Sequence, residues 1–208
     1  MIGQVNHRRG AGNTVRAPLE FDRRGSRAGA WIALEATDHP GPVIMRMLSL
    51  NWVPDALAVE GATRDEREDY LTAAAKLAAT WPAGQQGARL VVAGELAHAF
   101  NRPERFVVGL PGEGRVSGNG FQASANLLDF RPGHHLGMVY GRAQGGWLTS
   151  NDYRNNDELF EIRYQRRIAV NLSMEIRYRW RRELERRIEA DRLQVDQDIY
   201  ARLTWRSR

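Results

Sequence analysis

From Val170 to Trp180 the chain alternates without a break. Val170, Leu172, Met174, Ile176, Tyr178 and Trp180 are apolar, while Asn171, Ser173, Glu175, Arg177 and Arg179 lie between them and Arg181 continues the polar set. A period of two belongs to an extended strand with one apolar and one polar face. A helix would throw Tyr178 to the side opposite Ile176. The same alternation sets Phe160, Ile162 and Tyr164 against Glu161, Arg163 and Gln165. It sets Ile199, Ala201, Leu203 and Trp205 against Tyr200, Arg202 and Thr204, and Phe121, Ala123, Ala125 and Leu127 against Gln122, Ser124 and Asn126. After Arg182 the charges of 183–191 also suit helical i,i+4 pairing, so 183–197 stays unassigned.

The pattern places strands at 28–37, 43–52, 56–62, 70–81, 88–100, 120–130, 135–142, 158–166, 169–182 and 198–206, about ten in all. The stretch Tyr70–Trp81 is rich in alanine and suits a helix by propensity, yet Leu71, Ala73, Ala75, Leu77, Ala79 and Trp81 keep the period of two. Residues 1–27 are Arg-, Gly- and polar-rich and read as a loop or disordered lead.

The connections alternate in length. Short ones at Pro82–Gly87, Arg131–His134 and Arg166–Ile168 are interleaved with long ones at Asn101–Asn119, Gln144–Asp157 and Glu183–Gln197. Transmembrane β-barrels segregate short turns to one side and long loops to the other. Trp81, Phe100, Phe121, Phe130, Tyr140, Trp147, Phe160, Trp180, Tyr200 and Trp205 fall near strand ends, where an interfacial girdle would put them. The expected fold is therefore all-β: an antiparallel up-and-down transmembrane β-barrel over 28–206, partial at this strand count. The competing fold is a soluble periplasmic or secreted β-sandwich that binds an acidic ligand.

Composition narrows this further. Of 208 residues, 42% are hydrophobic and 26% charged, and no window approaches the ~20 apolar residues of a spanning helix. There is no cysteine, which removes disulfide frameworks, thiolate metal sites and thiol catalysis. The net charge is +5 and Lys76 is the single lysine. So arginine-biased a composition follows coding bias as readily as nucleic-acid binding, and no nucleic-acid partner is expected. The amino terminus carries no apolar core of a signal peptide, so an outer-membrane location would require an address this sequence does not contain.

The segment from Asn119-Gly-Phe-Gln-Ala-Ser-Ala-Asn-Leu-Leu-Asp-Phe through Arg131-Pro-Gly-His-His-Leu-Gly-Met-Val-Tyr-Gly-Arg-Ala resembles the carboxyl-terminal half of Gram-negative porins. So do Gly146-Trp-Leu-Thr-Ser, Leu159-Phe-Glu-Ile-Arg-Tyr-Gln-Arg-Arg-Ile and Asp198-Ile-Tyr-Ala-Arg-Leu-Thr-Trp. The group most resembled is that of the phosphate-selective porins O and P. The resemblance covers 119–206 in strand texture and 28–118 only in general pattern. It implies a passive channel for small hydrophilic solutes, in a family of about twice this length with ~16–18 strands. Two departures stand out: Trp205 is followed by Arg206-Ser-Arg208 where the family ends on an aromatic residue, and the family's lysine-based phosphate binding is not available with Lys76 as the single lysine.

No catalytic constellation is present, so no enzyme activity is expected, and no cofactor. His134-His135 follow a Pro-Gly turn without ligand-spaced carboxylates, and a metal site is not expected there. The glycine-rich 109–120 lacks the pattern of a phosphate cradle and reads as a flexible loop, while 65–69 reads as a charged one. The candidate functional residues are the charged positions of the last three strands, Glu161, Arg163, Glu175, Arg177, Arg179, Arg181 and Arg202, which are expected to line a water-filled interior. Charge is costly on a lipid face and admissible inside, and an arginine-rich wall favours anions. A structural Arg–Glu ladder is the equal alternative. The expected partners are outer-membrane lipid, small anionic or hydrophilic solutes and a further copy of the chain. An open sheet with free edges at 28–37 and 198–206 is expected, because a narrow ring of ten strands falls short of the family's barrel.

Overall fold

The computed structural model describes residues 32–41, 44–58, 67–84, 87–147 and 155–206. The described residues form a single antiparallel sheet of nine strands in sequence order. The strands are β1 (Ile32–Gly41), β2 (Ile44–Ala58), β3 (Arg67–Pro82), β4 (Arg89–Ala99), β5 (Asn119–Arg131), β6 (His134–Ala143), β7 (Asp157–Ala169), β8 (Leu172–Glu183) and β9 (Val195–Trp205). No α-helix occurs among them; the one helical turn is a 3-10 segment, Phe106–Val108.

The described residues hold nine strands where ten were expected, because 44–52 and the first residues of the expected 56–62 strand are parts of one strand, β2, while 59–62 lie outside the described residues. β2 runs through Pro54, and its register against β3 shifts between Val53 and Leu57. Proline cannot donate to a ladder and is accommodated at a bulge, so what reads as a turn in sequence is an irregularity within a strand. The acidic 65–69 stretch is likewise part strand, since β3 begins at Arg67. The Ala-rich 70–81 is extended, and the unassigned 183–197 divides into the end of β8, a loop and the start of β9. The expected strand at 28–37 starts, within the described residues, at Ile32; its first residues and the lead 1–27 lie outside them.

Alternation sorts the side chains onto two unlike faces. One carries Leu48, Leu50, Leu71, Leu77, Val92, Leu96, Met138, Ile176, Ile199 and Leu203, all exposed. The other carries Ser49, Asn51, Thr72, Glu95, Glu161 and Glu175, all buried. This inverts the usual order of a water-soluble sheet. Among the described residues extensive contacts join only strands adjacent in sequence, and no second sheet covers the polar face. Its burial comes from the sheet's own curl, the accumulated twist of neighbouring strands.

The order of strands is linear, and no ladder joins β1 to β9 among the described residues. Short connections at 83–88, 132–133 and 170–171 lie at one end, and long ones at 100–118, 144–156 and 184–194 at the other. The large apolar side chains that are deeply buried, Tyr70, Leu110, Val116, Trp147 and Leu159, sit at this loop end. The core therefore lies under the long loops and not between strands.

Candidate functional site

The inner face is built by cross-strand pairing. Register sets Glu161 opposite Arg179 and Arg163 opposite Arg177 on β7 and β8, and Arg177 opposite Tyr200 and Glu175 opposite Arg202 on β8 and β9. All seven candidate residues thus share one face.

Most of their charge is paired. Arg179 donates to Glu161 Oε2 through Nε at 3.0 Å and Nη2 at 2.8 Å, and Arg177 Nη1 approaches the same oxygen at 3.5 Å. Glu175 Oε2 accepts from Gln165 Nε2 at 2.5 Å and from Arg202 Nη2 at 3.4 Å. Arg181 Nη1 lies 3.9 Å from Asp157. The Tyr200 ring is flanked by the guanidinium groups of Arg177 at 4.8 Å and Arg202 at 5.9 Å, a cation–π arrangement. Buried carboxylates survive because each sits beside a cation. Arg163 differs: it makes no hydrogen bond or ion pair among the described residues, although it faces Arg177 across the ladder. The wall also extends further than the candidate residues, since Lys76 and Glu95 pair in register on β3 and β4 and continue the charged face.

Two sequence expectations change here. Asn171, expected on the polar wall, lies in the β7–β8 turn. Trp147, expected near a strand end in the aromatic row, is buried in a loop, while Tyr200 lies on the inner face, where its alternation with Ile199 places it. His134 and His135 have partners of their own: the Tyr164 hydroxyl is 2.7 Å from His134 Nδ1, and His135 Nδ1 accepts from the Asp129 amide at 3.1 Å.

The long loops fold on one another. The glycine-rich loop is a packed element, with Glu104 bridged to Arg115 and Val116 N bonded to Pro103 O at 3.1 Å. Arg187 Nη1 donates to Val108 O at 3.3 Å, its Nη2 to Asn155 O at 3.4 Å and its Nε to Glu183 at 2.6 Å, so one side chain ties three loops together. Arg105 pairs with Glu185, and Ile188 N donates to Gly109 O at 2.9 Å. Tyr70 donates its hydroxyl to Gly146 O at 2.9 Å. Asn156 adopts a left-handed φ of 65° and bonds both Glu185 O (2.7 Å) and Glu185 N (3.0 Å) through its amide; asparagine is among the few side chains that tolerate this region. The Arg115 guanidinium is held above its ordinary pKa chiefly by its hydrogen bond to Glu68, which outweighs the opposing effect of burial, with the charges of Glu68 and Glu104 adding to it. Sequence reading missed this assembly, because its apolar members are single residues in glycine-rich segments with no periodic signal.

Among the described residues no group of three or more His, Asp or Glu side chains is arranged to hold a metal ion, and no helix is long and apolar enough to cross a membrane. No protein-family model, curated protein or solved structure matches the chain, so the porin resemblance stands on strand texture alone.

Proposed function

We propose that this sheet is the wall of a porin-like outer-membrane channel for small hydrophilic solutes, with a weak preference for anions. The observation that carries the reading is the inverted pair of faces: exposed leucines, isoleucines and valines outside, buried and ion-paired carboxylates and arginines inside, in one curled layer.

The dimensions agree. Along β7 the outward phase runs Glu158, Phe160, Ile162, Tyr164, Arg166, so charged residues bracket the apolar ones. At ~3.4 Å per residue and a tilt of ~40° this interval covers about 21 Å of height, close to the ~25 Å apolar band of outer-membrane barrels. A soluble sandwich would instead need a second sheet over the apolar face, and the described residues form one sheet. The anion preference is weak because the arginines are mostly matched by acids; Arg163 carries it.

Detergent phase partition followed by solute flux tests the reading. The chain is expected to enter the detergent phase, and vesicles reconstituted with it are expected to leak small sugars and ions. Recovery in the aqueous phase refutes the membrane wall. Entry into bilayers with no flux from any assembled form refutes the channel.

A further inference from the structure

The outward phase of β6, β7 and β8 does not end on apolar residues. One step beyond Tyr140, Phe160 and Trp180 it places Arg142, Glu158 and Arg182, paired in register across the three strands. Glu158 is almost wholly buried. Its Oε2 accepts from Arg142 Nε at 3.0 Å and from the Tyr140 hydroxyl at 3.1 Å, and its Oε1 lies 2.5 Å from Arg182 Nη2. The two guanidinium groups lie 5.9 Å from the Tyr140 ring centre and 5.5 Å from that of Trp180.

One carboxylate between two arginines leaves a positive charge uncompensated. It also leaves donors in surplus: both Nη groups of Arg142, and Nε and Nη1 of Arg182, have no partner among the described residues. Each arginine side chain is 45% exposed, against 3% for Glu158. A structural ion pair at a strand end needs only one arginine.

We propose that Arg142 and Arg182, positioned by Glu158, bind the phosphate of an anionic lipid headgroup at the loop-side border of the apolar belt. The inference rests on the membrane reading above. Guanidinium forks match phosphate oxygens in a bidentate way that ammonium does not. The row beneath them is aromatic, as in the interfacial zone where headgroups lie. A solute anion has the same charge but would find these arginines on the outer face, away from the inner wall. A lipid phosphate reaches them with its chains lying along Tyr140, Phe160 and Trp180.

The test uses the full chain in zwitterionic micelles, with phosphatidylglycerol or phosphatidylcholine added and lipid retention read by native mass spectrometry. The chain is expected to retain phosphatidylglycerol preferentially. Arg142→Gln with Arg182→Gln is expected to weaken that retention about thirtyfold, the equivalent of ~2 kcal/mol at ~1 kcal/mol per arginine. Arg115→Gln, which removes one positive charge from the loops, is expected to change it less than twofold. Arg142→Lys with Arg182→Lys keeps the charge without the forks and is expected to lose part of the preference, which decides the matter should the glutamine variant not fold. Equal retention of the two lipids overturns the proposal, as does an equal loss in Arg115→Gln or displacement of the lipid by equimolar inorganic phosphate. Failure to enter micelles or vesicles of any composition overturns the membrane reading and this site with it. Insertion without anionic preference overturns this site alone.

Discussion

Ile199→Arg separates a lipid-facing surface from a water-facing one. Ile199 is in the middle of β9, paired in register with Tyr178, and is 79% exposed. On a soluble protein, a change at so exposed a position stays within about 0.5 kcal/mol, because the native side chain has little contact to lose. In a bilayer the same position lies near mid-depth, and arginine there costs about 2–4 kcal/mol. Thr204, on the opposite face of the same strand and paired with Ser173, supplies the control. Arginine at Thr204 points towards the charged wall and should cost under ~1 kcal/mol, as lumen positions do not pay the lipid penalty. Leu203 adds a depth test: its register partner Met174 is itself paired with Arg166, at the charged border of the belt, so arginine there should approach the ~0–1 kcal/mol of an interfacial site. Reversible denaturant unfolding in phospholipid vesicles gives all three values. A cost at Ile199 no larger than at Thr204 would refute the assignment of faces.

Three further outcomes follow from the paired wall and the loops. Glu161→Gln removes the negative charge shared by Arg177 and Arg179 and should lower unfolding stability by about 1–3 kcal/mol, less than the full cost of breaking a dry buried pair because the arginines stay partly wet; no loss in denaturant unfolding would contradict the ladder. Arg163→Glu should move the reversal potential of reconstituted vesicles towards cations at constant strand content, while an unchanged potential would remove Arg163 from the anion preference. Asn156→Ala should destabilise by roughly 2 kcal/mol, losing two amide bonds and a left-handed residue's tolerance, and limited proteolysis should then cut the 184–194 loop faster.

The phase of the strands was legible because a period of two is a property of each strand by itself. Val170–Trp180 and Phe160–Gln165 therefore assign their faces without knowledge of any neighbour. Strand count was less legible, because Trp52-Val-Pro-Asp has the composition of a turn, while β2 pairs with β3 on both sides of it. The pairing within the wall was out of reach for a different reason. Whether Glu161 meets Arg177, Arg179 or neither depends on the β7–β8 register, which the turn at 170–171 sets with a shift between Arg167 and Ala169. Arg142, Glu158 and Arg182 were within reach, since each is a charged residue in phase with an apolar set and so violates the pattern that made its strand readable.

Strand parity limits what this sheet can be by itself. In the up-and-down order of nine that the described residues form, β1 and β9 run in the same direction, so closing one onto the other would make a parallel seam, whereas closure by antiparallel ladders alone needs an even count. Width gives a second argument. Eight strands already enclose an interior that side chains fill, and open aqueous channels occur at ~16–18. A nine-stranded ring lined by Glu95, Glu161, Arg177, Arg179 and Arg202 would be plugged by its own ion pairs. Yet the outer face has the composition and height of a lipid-facing wall, and a free edge within lipid leaves backbone donors and acceptors unsatisfied at several kcal/mol each. A conducting form and a satisfied edge therefore make the same demand, more strands beside β1 and β9 than the described residues contain, as another copy would supply. If this sheet conducts, the pore belongs to that wider wall.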